Sequence, residues 1–81
     1  MHGLGFHYWK DGKKYYGMWK NNDMHGYGYI VYKDGTTYEG QFFDDKKTGF
    51  GIYKWIDDRK YQGWWYKSKQ HGLGIFTDYN K

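Results

Sequence analysis

Residues 15–37 read YYGMWKNNDMHGYGYIVYKDGTT, and this stretch of 23 residues decides the fold because the chain repeats it. Its His25-Gly26-Tyr27-Gly28 has counterparts at His2-Gly3-Leu4-Gly5, Thr48-Gly49-Phe50-Gly51 and His71-Gly72-Leu73-Gly74, each 23 residues from the next. Tyr15-Tyr16-Gly17 recurs as Tyr38-Glu39-Gly40 and Tyr61-Gln62-Gly63. Trp19, Phe42 and Trp65 share a third phase, and Asp11-Gly12 and Asp34-Gly35 a fourth. All 13 glycines fall at four of the 23 phases, so backbone geometry places them. The units are approximately 1–14 (partial), 15–37, 38–60 and 61–81, a single array without linkers.

Within one unit the pattern is that of two strands. Tyr15, Gly17 and Trp19 alternate along the first; Gly26, Gly28, Ile30 and Tyr32 alternate along the second. Residues Asn21 to His25 read as a loop. Asp34-Gly35 reads as a tight type I′ turn, which needs positive φ at both central residues. Short turns force neighbouring strands to pair antiparallel. Seven strands are expected, near 4–9, 15–20, 27–32, 38–43, 50–55, 61–66 and 73–77. Composition agrees: aromatics make up 26% of the chain, and Ala, the best helix former, is missing. The fold class is therefore all-β, an elongated single-layer antiparallel meander of stacked hairpins.

Such a layer has no second sheet to cover its rings. Glycine at 17, 26 and 28 leaves gaps in which Tyr15, Trp19 and Tyr32 can lie, and copies stabilise one another by stacking. Val at Gly17 or Gly40 is expected to destabilise the array. The opposite face carries Tyr27, Tyr29, Val31, Phe50 and Ile52; the alternation leaves open which face is the more exposed.

Several chemistries find no support. There is no Cys for a disulfide or thiolate site, which suits a reducing compartment or indifference to redox state. No apolar run approaches the ~20 residues of a membrane helix, and no targeting segment follows Met1. His2, His25 and His71 share a phase two strands apart, about 10 Å, too far for one ion. No metal or cofactor site is expected. Asp11, Asp34, Asp44, Asp45, Asp57 and Asp58 occupy turn phases, which explains them without catalysis. Ser68 is the single serine and has no base near it in sequence. No catalytic residue is assigned, and the chain is not expected to be an enzyme.

The order Tyr-x-Gly-x-Trp/Phe, then His-Gly-x-Gly, then Asp-Gly resembles the MORN (membrane occupation and recognition nexus) repeat across nearly all of residues 2–77. The departures are Asn22, Asp45 and Ser68 where the family commonly has Gly, Asp58 in place of the turn Gly, and Thr48 in place of His. The resemblance implies a twisted β-meander with an aromatic-lined groove. It implies assembly roles, as in junctophilins, radial-spoke head proteins of cilia and modules attached to phosphatidylinositol-phosphate kinases. An intracellular setting is expected by that analogy: cytoplasmic, cytoskeletal or ciliary, or peripheral to a membrane.

The expected function is a non-catalytic scaffold that binds a protein segment along the aromatic groove, an amphipathic helix being the favoured form. Tyr15, Trp19, Tyr32, Tyr38, Phe42, Trp55, Tyr61 and Trp65 are the candidate binding residues. Trp64 joins them from the opposite face, because its phase mates Met18 and Gln41 show that the fold does not require Trp there. Unpaired edge strands at both ends, around residues 4–9 and 73–77, invite further strands, from a longer array, from end-to-end association or from a partner that covers them. The alternative is an anionic-phospholipid surface, for which a net charge of +4 with mixed signs gives modest attraction. Nucleic acid is not expected: Arg59 is the single Arg, and acids interrupt every basic patch.

Overall fold

The computed structural model describes residues 2–78. Seven strands form one sheet in chain order: β1 (Gly3–Tyr8), β2 (Lys14–Lys20), β3 (Asp23–Val31), β4 (Thr37–Phe43), β5 (Lys46–Lys54), β6 (Arg59–Tyr66) and β7 (Lys69–Asp78). Every neighbouring pair is antiparallel. The sheet stays open, with β1 and β7 as its edges, and the molecule measures 42 × 27 × 16 Å.

Register explains the repeated glycines. Gly5, Gly17, Gly28, Gly40, Gly51, Gly63 and Gly74 face one another in turn, so a line of bare backbone crosses all seven strands. Tyrosine rings lie along it. A Cβ added at Gly28 would strike the Tyr15 ring; one at Gly51 would strike Tyr38, and one at Gly74 would strike Tyr61. Each phenol is then tied down locally. The Tyr15 hydroxyl donates to the Met18 carbonyl at 2.9 Å, Tyr38 to Gln41 at 3.0 Å, and Tyr61 to Trp64 at 3.3 Å.

The other glycine of each His/Thr-Gly-x-Gly serves a different purpose. Pairing slips between Gly17 and Trp19, between Gly40 and Phe42, and between Gly63 and Trp65. Gly26, Gly49 and Gly72 sit in the strands opposite these slips with φ of 90°, 100° and 76°. These are bulges, and a side chain there would be strained. At the middle bulge, the Phe50 amide donates to Gln41 Oε1 at 2.7 Å, which satisfies a donor the ladder leaves out.

The turns correct the sequence reading. Type I′ geometry belongs to Asn21-Asn22, Asp44-Asp45 and Lys67-Ser68, each with positive φ at both residues. The loop expected over residues 21–25 therefore shrinks to two residues, and β3, β5 and β7 begin earlier than expected. The Asp-Gly turns are not of type I′. Only Gly12, Gly35 and their counterpart Asp58 have positive φ, while the preceding Asp does not. Gly12 N–H donates to the Trp9 carbonyl at 3.1 Å, and Trp9 N–H to the Lys13 carbonyl at 2.8 Å. This is a three-residue loop closed by a left-handed residue. Asp11, Asp34 and Asp57 cap it by accepting the amides of Lys13, Thr36 and Arg59.

Candidate functional site

The alternation places Tyr15, Trp19, Tyr38, Phe42, Tyr61 and Trp65 on one face, hereafter the inner face. The fold joins them into a single column of edge-to-face contacts. Along Trp19, Tyr15, Phe42, Tyr38, Trp65 and Tyr61 the ring centroids are 5.0, 5.3, 5.2, 5.4 and 5.5 Å apart, with interplanar angles of 81–89°. This is the geometry ring quadrupoles favour, about 0.5–1.5 kcal/mol per pair beyond area. All six are at most 8% exposed, with Met24 and Ile30 beside them. They are the core, and they offer little surface to another molecule.

The surface of the inner face comes from a second row. Trp9, Tyr32, Tyr53 and Trp55 pack against the column and are only partly buried. Tyr32 meets Tyr53 at 6.2 Å, and Tyr53 meets Trp55 at 4.8 Å and Trp65 at 5.6 Å. Of the residues expected from sequence, Tyr32 and Trp55 thus stand where a ligand can reach them. Trp9 and Tyr53 were missed, although Trp9 shares the 23-residue phase of Tyr32 and Trp55, and Tyr53 stands two residues before Trp55 on the same face. Two hollows flank the row. One, of about 520 Å³, is bordered by His7, Trp9, Trp19 and Asp45; the other, of about 470 Å³, by Asp11, Tyr32 and Tyr53; Lys13 borders both.

Cations cover these rings. Lys13 Nζ lies 4.5 Å from the Trp9 ring and the Arg59 guanidinium 5.2 Å from Trp55. Arg59 also pairs with Asp57 at 2.8 Å, which holds the Asp57 carboxyl below the usual range. Burial pushes the Tyr15 and Tyr32 phenols up to about 12, helped by the charge of Asp45 at Tyr15 and by Tyr53 at Tyr32. Tyr38 and Tyr53 are raised too, again chiefly by burial. Burial, then repulsion from Lys13, lowers the Lys47 ammonium.

The outer face is the more open one. Phe6, Tyr16, Tyr29 and Ile75 are 42–64% exposed there. Trp64 projects from it, as its phase requires, half exposed and packed at 5.6 Å on Phe50. The histidines of the repeat also have packing partners: His25 lies 5.0 Å from Phe43, and His71 5.7 Å from Tyr66.

Comparison with curated proteins returns no match to the chain. The profile of the MORN repeat does match, at residues 1–14, 15–37, 38–58 and 61–81. These segments follow the hairpin spacing of the sheet, and their glycines include those that form the bare line, the bulges and the left-handed turn positions. The chain belongs to the MORN repeat family, whose arrays often serve as protein or lipid interaction modules.

Proposed function

We propose that this array is a non-catalytic module that binds a protein segment along its inner face, as part of a larger assembly. One observation carries the reading. The ring column is sealed, yet a parallel row of Trp9, Tyr32, Tyr53 and Trp55 remains half-buried beside two hollows. Amphipathic rings on a rigid sheet make good anchors, because they bring large area at low entropic cost. The neighbouring carboxylates of the turns cap backbone amides, which supports a binding rather than a catalytic role. Placing a photo-crosslinking residue at Tyr53, and separately at Trp64, tests the face. The expected result is a protein adduct from cell extract at position 53 that Tyr32→Ser abolishes. Adducts confined to position 64 would move the interface to the outer face and refute the reading.

A second reading has its own observation. On the outer face the exposed rings adjoin a register row that contains Lys14, Lys54 and Lys60, an arrangement suited to anionic headgroups. Flotation with phosphatidylserine vesicles tests it, and recruitment insensitive to salt and to vesicle charge would eliminate it. A cytoskeletal or ciliary setting follows from family likeness alone, and imaging the tagged full chain tests it.

A further inference from the structure

Position 47 is where the repeats part company. One period earlier stands Met24, buried in the core; one period later stands Gln70. Lys47 lies opposite Phe42 in the ladder, and its side chain enters the inner face. Its Nζ sits 5.2, 5.5, 5.7 and 5.8 Å from the ring centroids of Tyr32, Tyr38, Tyr53 and Trp65. Among the described residues, no carboxylate lies within ion-pair distance of it. The acids of the neighbouring turns cap backbone amides instead: Asp45 accepts the Met24 amide at 2.7 Å, and Asp34 the Thr36 amide at 2.9 Å.

Stability alone does not ask for this arrangement. A thioether fills the equivalent place at Met24, whereas an ammonium there loses water and gains only the faces of neutral rings. Burial and the charge of Lys13 both weaken its hold on the proton. The inner face therefore carries a poorly solvated cation with no counterion among the described residues, beside Tyr32 and Tyr53, the two of its four rings that remain partly exposed.

We propose that Lys47 selects the partner: the segment that occupies the inner face bears an Asp or Glu carboxylate, flanked by apolar residues, that pairs with the Lys47 ammonium beside Tyr32 and Tyr53. This inference rests on the inner-face reading above. The bound carboxylate supplies the charge that the fold withholds, and Lys13 adds attraction at longer range. A neutral or basic segment gains no such pairing and leaves the ammonium desolvated, so the site rejects it as well as favouring the acid.

The test uses two probes of equal shape, 4-phenylbutyrate and its uncharged amide, titrated by NMR into the isotope-labelled full chain. The carboxylate is expected to bind about tenfold more tightly, the worth of one charge-assisted hydrogen bond. It should shift the Lys47 side-chain and Tyr53 ring signals. Lys47→Met, whose fold the same spectra verify, should bring the two probes within about twofold of each other, while Lys20→Met on the outer face keeps the preference. Equal binding of both probes to wild-type inner-face residues would overturn the role of Lys47 and leave apolar docking standing. A carboxylate preference that survives Lys47→Met would overturn it in favour of another cation. Failure of both probes to shift any inner-face signal would sink this inference and the inner-face reading together.

Discussion

Substituting Gly51 by Ala adds one methyl group where a tyrosine ring already lies on the bare backbone. The backbone at Gly51 is not in the left-handed region, so Ala can adopt it without strain. The cost is therefore steric. The three atoms nearest the new carbon all belong to Tyr38: Oη, Cζ and Cε1. The ring must retreat by roughly 1 Å or more to restore an ordinary contact of about 3.5 Å. Tyr38 is 0% exposed and has nowhere to go without leaving Phe42 and Trp65, each about 5 Å away by centroid. Its hydroxyl also loses the 3.0 Å bond to the Gln41 carbonyl. Overpacking costs about 1–3 kcal/mol, and an unpaired buried phenol adds about 1 kcal/mol or more. A total near 3 kcal/mol is a large share of the roughly 4–12 kcal/mol expected for a chain of this size. Tm should fall by about 12–24 °C. Urea unfolding of a double-mutant cycle checks the cause. In a Tyr38→Leu background, Gly51→Ala should cost no more than about 1 kcal/mol, because the colliding atoms are gone. Gly72→Ala provides the opposite control: it has open space but a φ of 76°, and should cost about 1–2 kcal/mol through the backbone. The reasoning is refuted if Gly51→Ala matches wild type within ~0.5 kcal/mol, or if its cost is the same with Leu at position 38.

Other outcomes follow from the same geometry. Tyr15 and Tyr32, raised from 10.0 to about 12, contribute stability that is fully present below pH 10 and lost as pH rises through about 12. Lys47, lowered from 10.5, acts in the opposite sense, adding stability as pH rises toward 10.5; above that the tyrosines act without this offset, so urea midpoints should drop as pH approaches 12, together with a late rise in phenolate absorbance. Lys47→Met should raise stability by about 1 kcal/mol, measured by thermal melting, because it replaces a poorly solvated ammonium with the residue used at Met24. Trp65→Ala should cost about 3–5 kcal/mol and Trp64→Ala less than about 1 kcal/mol, since the first is 7% exposed and the second 50%; near-equal costs in calorimetry would contradict the assignment of faces.

Much of this was legible in the chain. The 23-residue period fixed the number of strands, their antiparallel order and the face on which each ring lies, because side-chain direction alternates strictly along a strand. Glycine in phase marked where backbone had to stay bare. The turns were misread for a definite reason. Asp-Gly suits either a two-residue turn or a three-residue loop ending in a left-handed residue, and the hydrogen bond from Trp9 N–H to the Lys13 carbonyl settles it. Conversely, Asn21-Asn22, Asp44-Asp45 and Lys67-Ser68 lack glycine but take positive φ within strong ladders.

Periodicity is a one-dimensional signal and reports which face a residue occupies, so the sequence by itself determined the sheet, its order and its two faces. How deeply each ring sinks depends on the slip at the bulges and on neighbours 21 to 27 positions away, as when Tyr15 meets Phe42 and Tyr38 meets Trp65. Only the tertiary structure could therefore decide that six expected binding rings are core, that Tyr53 and Trp9 share the surface with Tyr32 and Trp55, and that Lys47 stands alone among four rings. Burial is a property of packing in three dimensions, and each of those distinctions is a matter of burial.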